Sequence, residues 1–128
     1  ETDSPITPCT DPNWMLLFLN TDQSQATGWQ GYDYVINRSV KDGHTTTLMQ
    51  YDEARSEWTY VCDLPYAMKD KVMELAVPRK AIGKKGNDLS LDFKWADNPT
   101  ELTDIISLCT SGDTAPNRRF AYRYIWKK

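Results

Sequence analysis

The chain of 128 residues has a formal net charge of −3, with 40% hydrophobic and 26% charged residues. Such a length and composition are typical of one globular domain, and no run approaches the roughly 20 apolar residues that a membrane-spanning helix needs. The basic residues cluster no further than in pairs, which excludes an electrostatic footprint for nucleic acid. We therefore expect a single domain over 1–128 with no membrane span and no nucleic-acid partner.

Alternation of apolar and polar residues predicts strands along most of the chain. The first run, Trp14 to Asn20, is apolar almost throughout, which is typical of a central strand buried on both faces. The Asp42-Gly43 pair predicts a hairpin turn before the third run. Six further runs predict strands, at 32–38, 45–51, 57–63, 72–78, 89–95 and 119–126.

Helix is expected only in short pieces. Pro78 stands at a permitted helix start and Gly83 where a short helix would stop, so a helical turn is predicted over 78–83. A second piece is expected near 99–107, although residues 100–109 are ambiguous, and we favour a helical turn followed by strand. These elements predict an all-β fold, an antiparallel two-sheet β-sandwich with short helical turns.

The first run raises a question of pairing. It has the composition of a central strand, yet only about a dozen residues precede it, and they include Pro5, Pro8 and Pro12. Either later strands flank it on both sides, or a strand lies upstream of this sequence.

Catalytic and metal chemistry find little support among the residues. The only histidine, His44, lies in a predicted turn, and no G-x-S-x-G elbow is present, so we expect no enzyme. Cys9, Cys62 and Cys109 are widely spaced, permit at most one disulfide and offer no zinc-binding pair. A haem would need an axial ligand, for which His44 or one of the four methionines could serve. No second feature of the sequence supports a haem site.

The polar segment TDQSQATGWQGYDY, residues 21–34, is longer than a hairpin needs. Counted as an EF-hand from Asp22, it places Asp33 at position 12 but Thr27 where glycine is required, so it is not an EF-hand. Two hypotheses remain: a looser calcium site that combines Asp22, loop carbonyls and Asp33, or an Asp22 that accepts hydrogen bonds from the loop's own amides.

Five tryptophans and seven tyrosines are the strongest functional signal. Aromatic rings stack on the apolar faces of sugars while neighbouring polar groups bind the hydroxyls. Trp29, between Gly28 and Gly31, is either such a platform or a plug over the end of the fold; with Tyr32 and Trp58 it forms the candidate ligand site. Trp14, Trp95 and Trp126 continue strand faces and are predicted to be structural.

Four stretches carry a resemblance to a known family: LLFLNTDQSQATGWQGYDYVINR, MELAVPRKAIG, LSLDFKWADN and SGDTAPNRRFAYRY. Together they resemble the carbohydrate-binding family-nine-like, or DOMON-like, β-sandwich domains of extracytoplasmic bacterial proteins. The resemblance implies a non-catalytic accessory module, a fragment or C-terminal part of a longer glycan-processing protein, with a strand before Glu1. Sugar-binding members clamp ligand between two tryptophans and hold calcium as a structural ion.

Two functions follow as the main hypotheses, and a glycosidase ranks behind both. The first is carbohydrate binding by a secreted, periplasmic or cell-surface module. The second is a structural or protein-interaction domain that packs on a neighbouring domain, with the Trp29 loop buried in that contact. An exposed aromatic patch beside acidic and basic groups would favour the first, and a bare apolar patch the second.

Overall fold

The computed structural model describes all residues from Glu1 to Lys128. It contains eight strands, one short α-helix and one 3-10 helix at Arg79–Ile82. The strands and the helix are β1 (Leu16–Asn20), β2 (Tyr34–Val40), β3 (Thr45–Asp52), β4 (Glu57–Lys69), β5 (Val72–Leu75), β6 (Leu89–Asp97), α1 (Ile105–Ser111), β7 (Asp113–Ala115) and β8 (Tyr122–Trp126).

The predicted two-sheet sandwich is wrong. All eight strands belong to one antiparallel sheet, in the order β5-β4-β3-β2-β1-β6-β7 with β8 also on β6, and this sheet curls into a half-barrel. No break divides it, because the first part of β4 pairs with β3 and the last part with β5. Bulges between Ile36 and Val40 and between Leu48 and Met49 interrupt the register, and bulges increase the local bend and twist.

The strand β1 lies at the centre of the sheet, as its composition predicts. Leu17 is paired with Ile36 of β2 on one side and with Trp95 of β6 on the other. Of the two alternatives for its neighbours, later strands on both sides is therefore the arrangement found. The backbone N–H and C=O groups of β1 therefore find hydrogen-bond partners on both sides in strands of the same chain.

Both faces of β1 are buried, but different elements cover them. Leu17 and Leu19 face a core that the 3-10 helix closes with Ile82. On the opposite face, Leu16 and Phe18 pack with Leu108 of α1. The 3-10 helix and α1 thus help to cover the two faces of β1, where a sandwich would place a second sheet against one of them. The apolar pattern of a strand does not show which kind of element will cover each face.

The first helical prediction, over 78–83, is confirmed in position, whereas the second, near 99–107, is displaced toward the C-terminus. The 3-10 helix ends at Gly83, whose φ of 70° suits the left-handed region that glycine tolerates. The second piece begins later than expected, at Ile105, because Asp104 and Ser107 form a reciprocal capping box at its start. It continues as a helix to Ser111, where the sequence predicts a strand.

The tryptophans predicted to be structural differ in their burial. Trp14 is buried beside Tyr66 and donates from Nε1 to the carbonyl of Thr7 at 2.8 Å. Trp95 is half-buried against the core. Trp126 is 50% exposed: it lies on the last strand, as predicted, but no element buries the face on which its indole lies.

Candidate functional site: an aromatic cleft beside the Trp29 loop

The Trp29 loop, residues 21–33, is held by its own polar side chains at its base. Asp22 accepts from the backbone N–H of Ser24 at 2.8 Å and from the hydroxyl of Thr27 at 2.7 Å. Asp33 accepts from the backbone N–H and the hydroxyl of Thr21, at 2.7 and 2.9 Å. The two bonds at Asp22 lower the pKa of its carboxyl, chiefly through the Ser24 amide.

The tip of the loop is a tight turn that aims Trp29. Trp29 and Tyr32 exchange two backbone hydrogen bonds of 2.8 Å, and the two residues between them have positive φ, 52° at Gln30 and 90° at Gly31. This is the pattern of a type I′ hairpin turn, which favours glycine. Gly28 has φ of 71°, and a Cβ there would lie 2.2 Å from the carbonyl oxygen of Tyr32.

The ring of Trp29 belongs to a cluster of four aromatic side chains. It stacks on Phe18, with centroids 5.4 Å apart and planes inclined by 24°. Trp58 lies 6.3 Å from Trp29 at 55°, and Tyr51 meets Trp58 edge-on at 5.1 Å. Trp29, Tyr51 and Trp58 are half-buried, whereas Phe18 is buried below them. The cluster therefore presents a partly exposed aromatic surface above the buried ring of Phe18.

An open cleft of about 450 Å³ lies over this surface. Its polar groups come from Arg38, Ser56 and Glu57, which stand beside the rings. Arg38 is exposed and forms no ion pair, while Glu57 lies 3.9 Å from the Arg55 guanidinium. The eight lining residues are Phe18, Trp29, Arg38, Tyr51, Ser56, Glu57, Trp58 and Leu102.

The structure brings together two of the three sequence-predicted ligand residues. Trp29 and Trp58 line the cleft, although 28 residues separate them in sequence and the β3–β4 hairpin delivers Trp58. Tyr32 is only 5% exposed and packs on Phe18 at 5.6 Å, outside the cleft. Burial raises the pKa of its phenol to about 12. Tyr32 therefore supports the cluster from behind.

Sequence reasoning missed Tyr51, Arg38 and Glu57. Tyr51 faces Trp58 across the β3–β4 ladder, a cross-strand pair that the hairpin pattern could have revealed. No pattern in the sequence marks Arg38, because the bulge after Ile36 changes the face of the sheet from which the side chains at the end of β2 project.

The proposed calcium ligands are engaged in other contacts. Asp22 and Asp33 both accept hydrogen bonds from neighbouring residues of the loop, and no group of three or more His, Cys, Asp or Glu side chains is placed to hold a metal ion. The arrangement at Asp22 is the one expected if the carboxylate serves the loop's own amides.

A second hollow, of about 500 Å³, lies behind the loop and includes Tyr32 and Asp92. Asp92 is nearly buried and forms a two-pronged ion pair with Arg123, with distances of 2.8 and 3.0 Å. The guanidinium lowers the pKa of the Asp92 carboxyl. This pair connects β6 to the last strand.

Lys94 is fully buried on the same face of β6. Its ammonium donates to three backbone carbonyls, those of Pro116, Arg118 at 2.8 Å and Phe120 at 3.1 Å. Burial lowers its pKa, and the three carbonyls compensate the lost water. Lys94 thereby holds the segment that leads into β8.

Comparisons of the chain with protein-family models, with curated proteins and with solved structures find no match. No helix of the structure combines the length and apolar character needed to cross a membrane. The chemistry of the cleft is therefore the basis for a functional proposal.

Proposed function

We propose that the cleft binds carbohydrate and that the domain is a non-catalytic binding module. The observation that carries this proposal is the pair of half-exposed indoles, Trp29 and Trp58, inclined at 55° beside the unpaired Arg38. Small-molecule sites combine aromatic walls with a few placed polar groups, and sugar rings offer both an apolar face and hydroxyls.

The polar lining suits hydroxyl recognition. Arg38 donates hydrogen bonds, Glu57 accepts them, and the Ser56 hydroxyl does both. Glu57 is the only carboxylate of the lining, whereas glycoside hydrolysis commonly uses two. This supports binding without hydrolysis.

Affinity measurements on cleft variants test the proposal. Wild-type protein is screened against a glycan panel, and the best ligand is titrated by calorimetry into Trp58→Ala, Arg38→Ala and the matched control Trp126→Ala. The control removes an exposed indole that does not line the cleft. Loss of one stacking ring is expected to weaken binding by about 1–3 kcal/mol, roughly 5- to 150-fold. Arg38→Ala weakens it less and leaves stability unchanged, since Arg38 is exposed.

Two results would contradict the proposal: no glycan in the panel binds, or the cleft variants bind as tightly as Trp126→Ala. In either case the Trp29 loop is better explained as a contact for a neighbouring protein domain, because a half-exposed aromatic cluster also suits a protein interface.

A further inference from the structure

The last strand, β8, exposes large apolar side chains to an unusual extent. All five of its residues are exposed, and Phe120 just before it is 70% exposed. Tyr124 and Ile125, on opposite faces, are 44% and 56% exposed. Contiguous apolar surface of this kind marks interaction sites, whereas single exposed apolar residues do not.

One face of β8 continues a buried core. The register places Tyr122, Tyr124 and Trp126 opposite Phe93, Leu91 and Leu89 of β6. Those three β6 residues belong to or pack against the core that contains Leu17 and Ile36. Because paired residues share a face, the three β8 aromatics extend this core past the last element that covers it.

The outer edge of β8 is open. The strand pairs with β6 alone, so the backbone groups on its other side have no partner strand. Proteins usually protect such edges with proline, a bulge, charged side chains or a covering loop, because an open edge accepts another strand. Within Tyr122–Trp126 there is no proline and no bulge, and the one charged side chain, Arg123, is paired with Asp92.

The segment that forms this edge carries charge of a single sign, while two acidic residues of the neighbouring chain, Asp92 and Asp88, lie beside Arg123 and Lys128. Residues 114–128 contain five of the fifteen basic residues of the chain and none of its eighteen acidic residues. Only Arg123 among the five is in an ion pair, with Asp92. The remaining cations are Arg118, Arg119, Lys127 and Lys128, which flank the strand at both ends.

We propose that β8 is a docking edge for an extended acidic segment of a partner protein, which adds to the sheet as a further strand. Its backbone pairs with the open edge, its alternate apolar side chains cover Tyr122, Tyr124 and Trp126, and its carboxylates meet the flanking cations. Such strand addition takes affinity from main-chain hydrogen bonds and specificity from alternate side chains.

A second copy of this chain fits the edge less well. Antiparallel self-pairing about Tyr124 would set Lys127 and Lys128 of each copy beside residues 120 and 121 of the other, close to Arg119. Like charges opposite one another on a sheet are destabilising. An acidic segment gains from the same cations.

Selection from a displayed library of random ten-residue peptides tests the inference on the intact protein. We expect enrichment of peptides in which Asp or Glu alternates with apolar residues, with binding that weakens as salt rises. Binding should fall at least about tenfold in the Tyr124→Ser, Trp126→Ser double variant, which removes two aromatic rings from the docking face without changing its charge. It should persist in Tyr60→Ser, which removes an exposed tyrosine from β4.

Methylation of alternate peptide amides separates strand addition from simple charge attraction. Two methylated peptides are compared, one with the odd-numbered and one with the even-numbered amides blocked. Affinity should fall at least about tenfold for one of the two, because only alternate amides of an added strand point toward the sheet. No enrichment, enrichment without acidic residues, or equal binding to the double variant would overturn the proposal.

Three further measurements address other occupants. We compare the wild type and the double variant in three assays: sedimentation, binding to phosphatidylcholine–phosphatidylserine vesicles, and binding to a single-stranded oligonucleotide. A dimer, a vesicle complex or an oligonucleotide complex that depends on Tyr124 and Trp126 and exceeds peptide affinity would replace the acidic segment as the occupant and overturn the proposal.

Discussion

The backbone N–H of Gly28 donates to Oε1 of Glu53 across 2.6 Å and so fastens the Trp29 loop to the turn between β3 and β4. The same turn leads into Trp58, the second indole of the cleft. One hydrogen bond thus joins the two segments that carry the two tryptophans, and its loss should change the cleft without unfolding the sheet.

Replacement of Glu53 by alanine is therefore expected to loosen the loop. Hydrogen exchange at the Gly28 amide should accelerate, and glycan affinity should fall by about 1 kcal/mol, the usual net value of a single hydrogen bond. Melting temperature should change little, because Glu53 is exposed. Glu101→Ala, which also removes an exposed carboxylate, is the control, and equal exchange in both variants would show that the contact does not restrain the loop.

Three glycines allow backbone strain to be separated from steric clash. Alanine at Gly43 meets no atom within 4 Å, alanine at Gly86 meets none but must adopt φ of 83°, and alanine at Gly28 has both a positive φ and the approach to Tyr32. We expect the free energy of unfolding, measured in urea, to fall by about 0 kcal/mol for Gly43→Ala, about 1 kcal/mol for Gly86→Ala and at least about 3 kcal/mol for Gly28→Ala. Equal losses at Gly86 and Gly28 would mean that the loop relaxes around the new methyl group.

The Asp92–Arg123 pair should make stability depend on pH. Since the folded-state pKa of Asp92 is lowered, its contribution is present above the unfolded pKa of about 3.9 and is lost as pH falls through the lower folded value. Asp92→Asn should cost about 1 kcal/mol at pH 7 and nearly nothing in strong acid. Asp113→Asn, which forms no ion pair, should show no such dependence. A pH-independent difference would assign the loss to packing.

Removal of Lys94 should free the segment before β8. Lys94→Met leaves three carbonyls without their donor, an expected loss of about 1–3 kcal/mol, and exposes Arg118 and Arg119 to faster cleavage by trypsin. Lys85→Met, at an exposed position, serves as the control. Unchanged cleavage would show that the segment is held by β7 and β8 alone.

Calcium removal should have no effect on the Trp29 loop. Both Asp22 and Asp33 already accept short hydrogen bonds from loop donors, which a cation would have to displace. Melting temperatures in calcium and in chelator are therefore expected to agree. A rise of several degrees with calcium would restore the hypothesis of a metal site made from Asp22, Asp33 and loop carbonyls.

By itself the sequence determined the local features of this protein. Seven of the eight strands, the 3-10 helix before Gly83 and the central position of β1 follow from alternation, turn chemistry and an apolar run, which depend on near neighbours only. The short strand β7 is not among the predicted runs. The tertiary structure decided the half-barrel, the meeting of Trp29 with Trp58, and the exposure of Trp126. These depend on which strands pair and what covers each face, and the same period-two pattern suits a face whether a sheet, a helix or nothing lies against it.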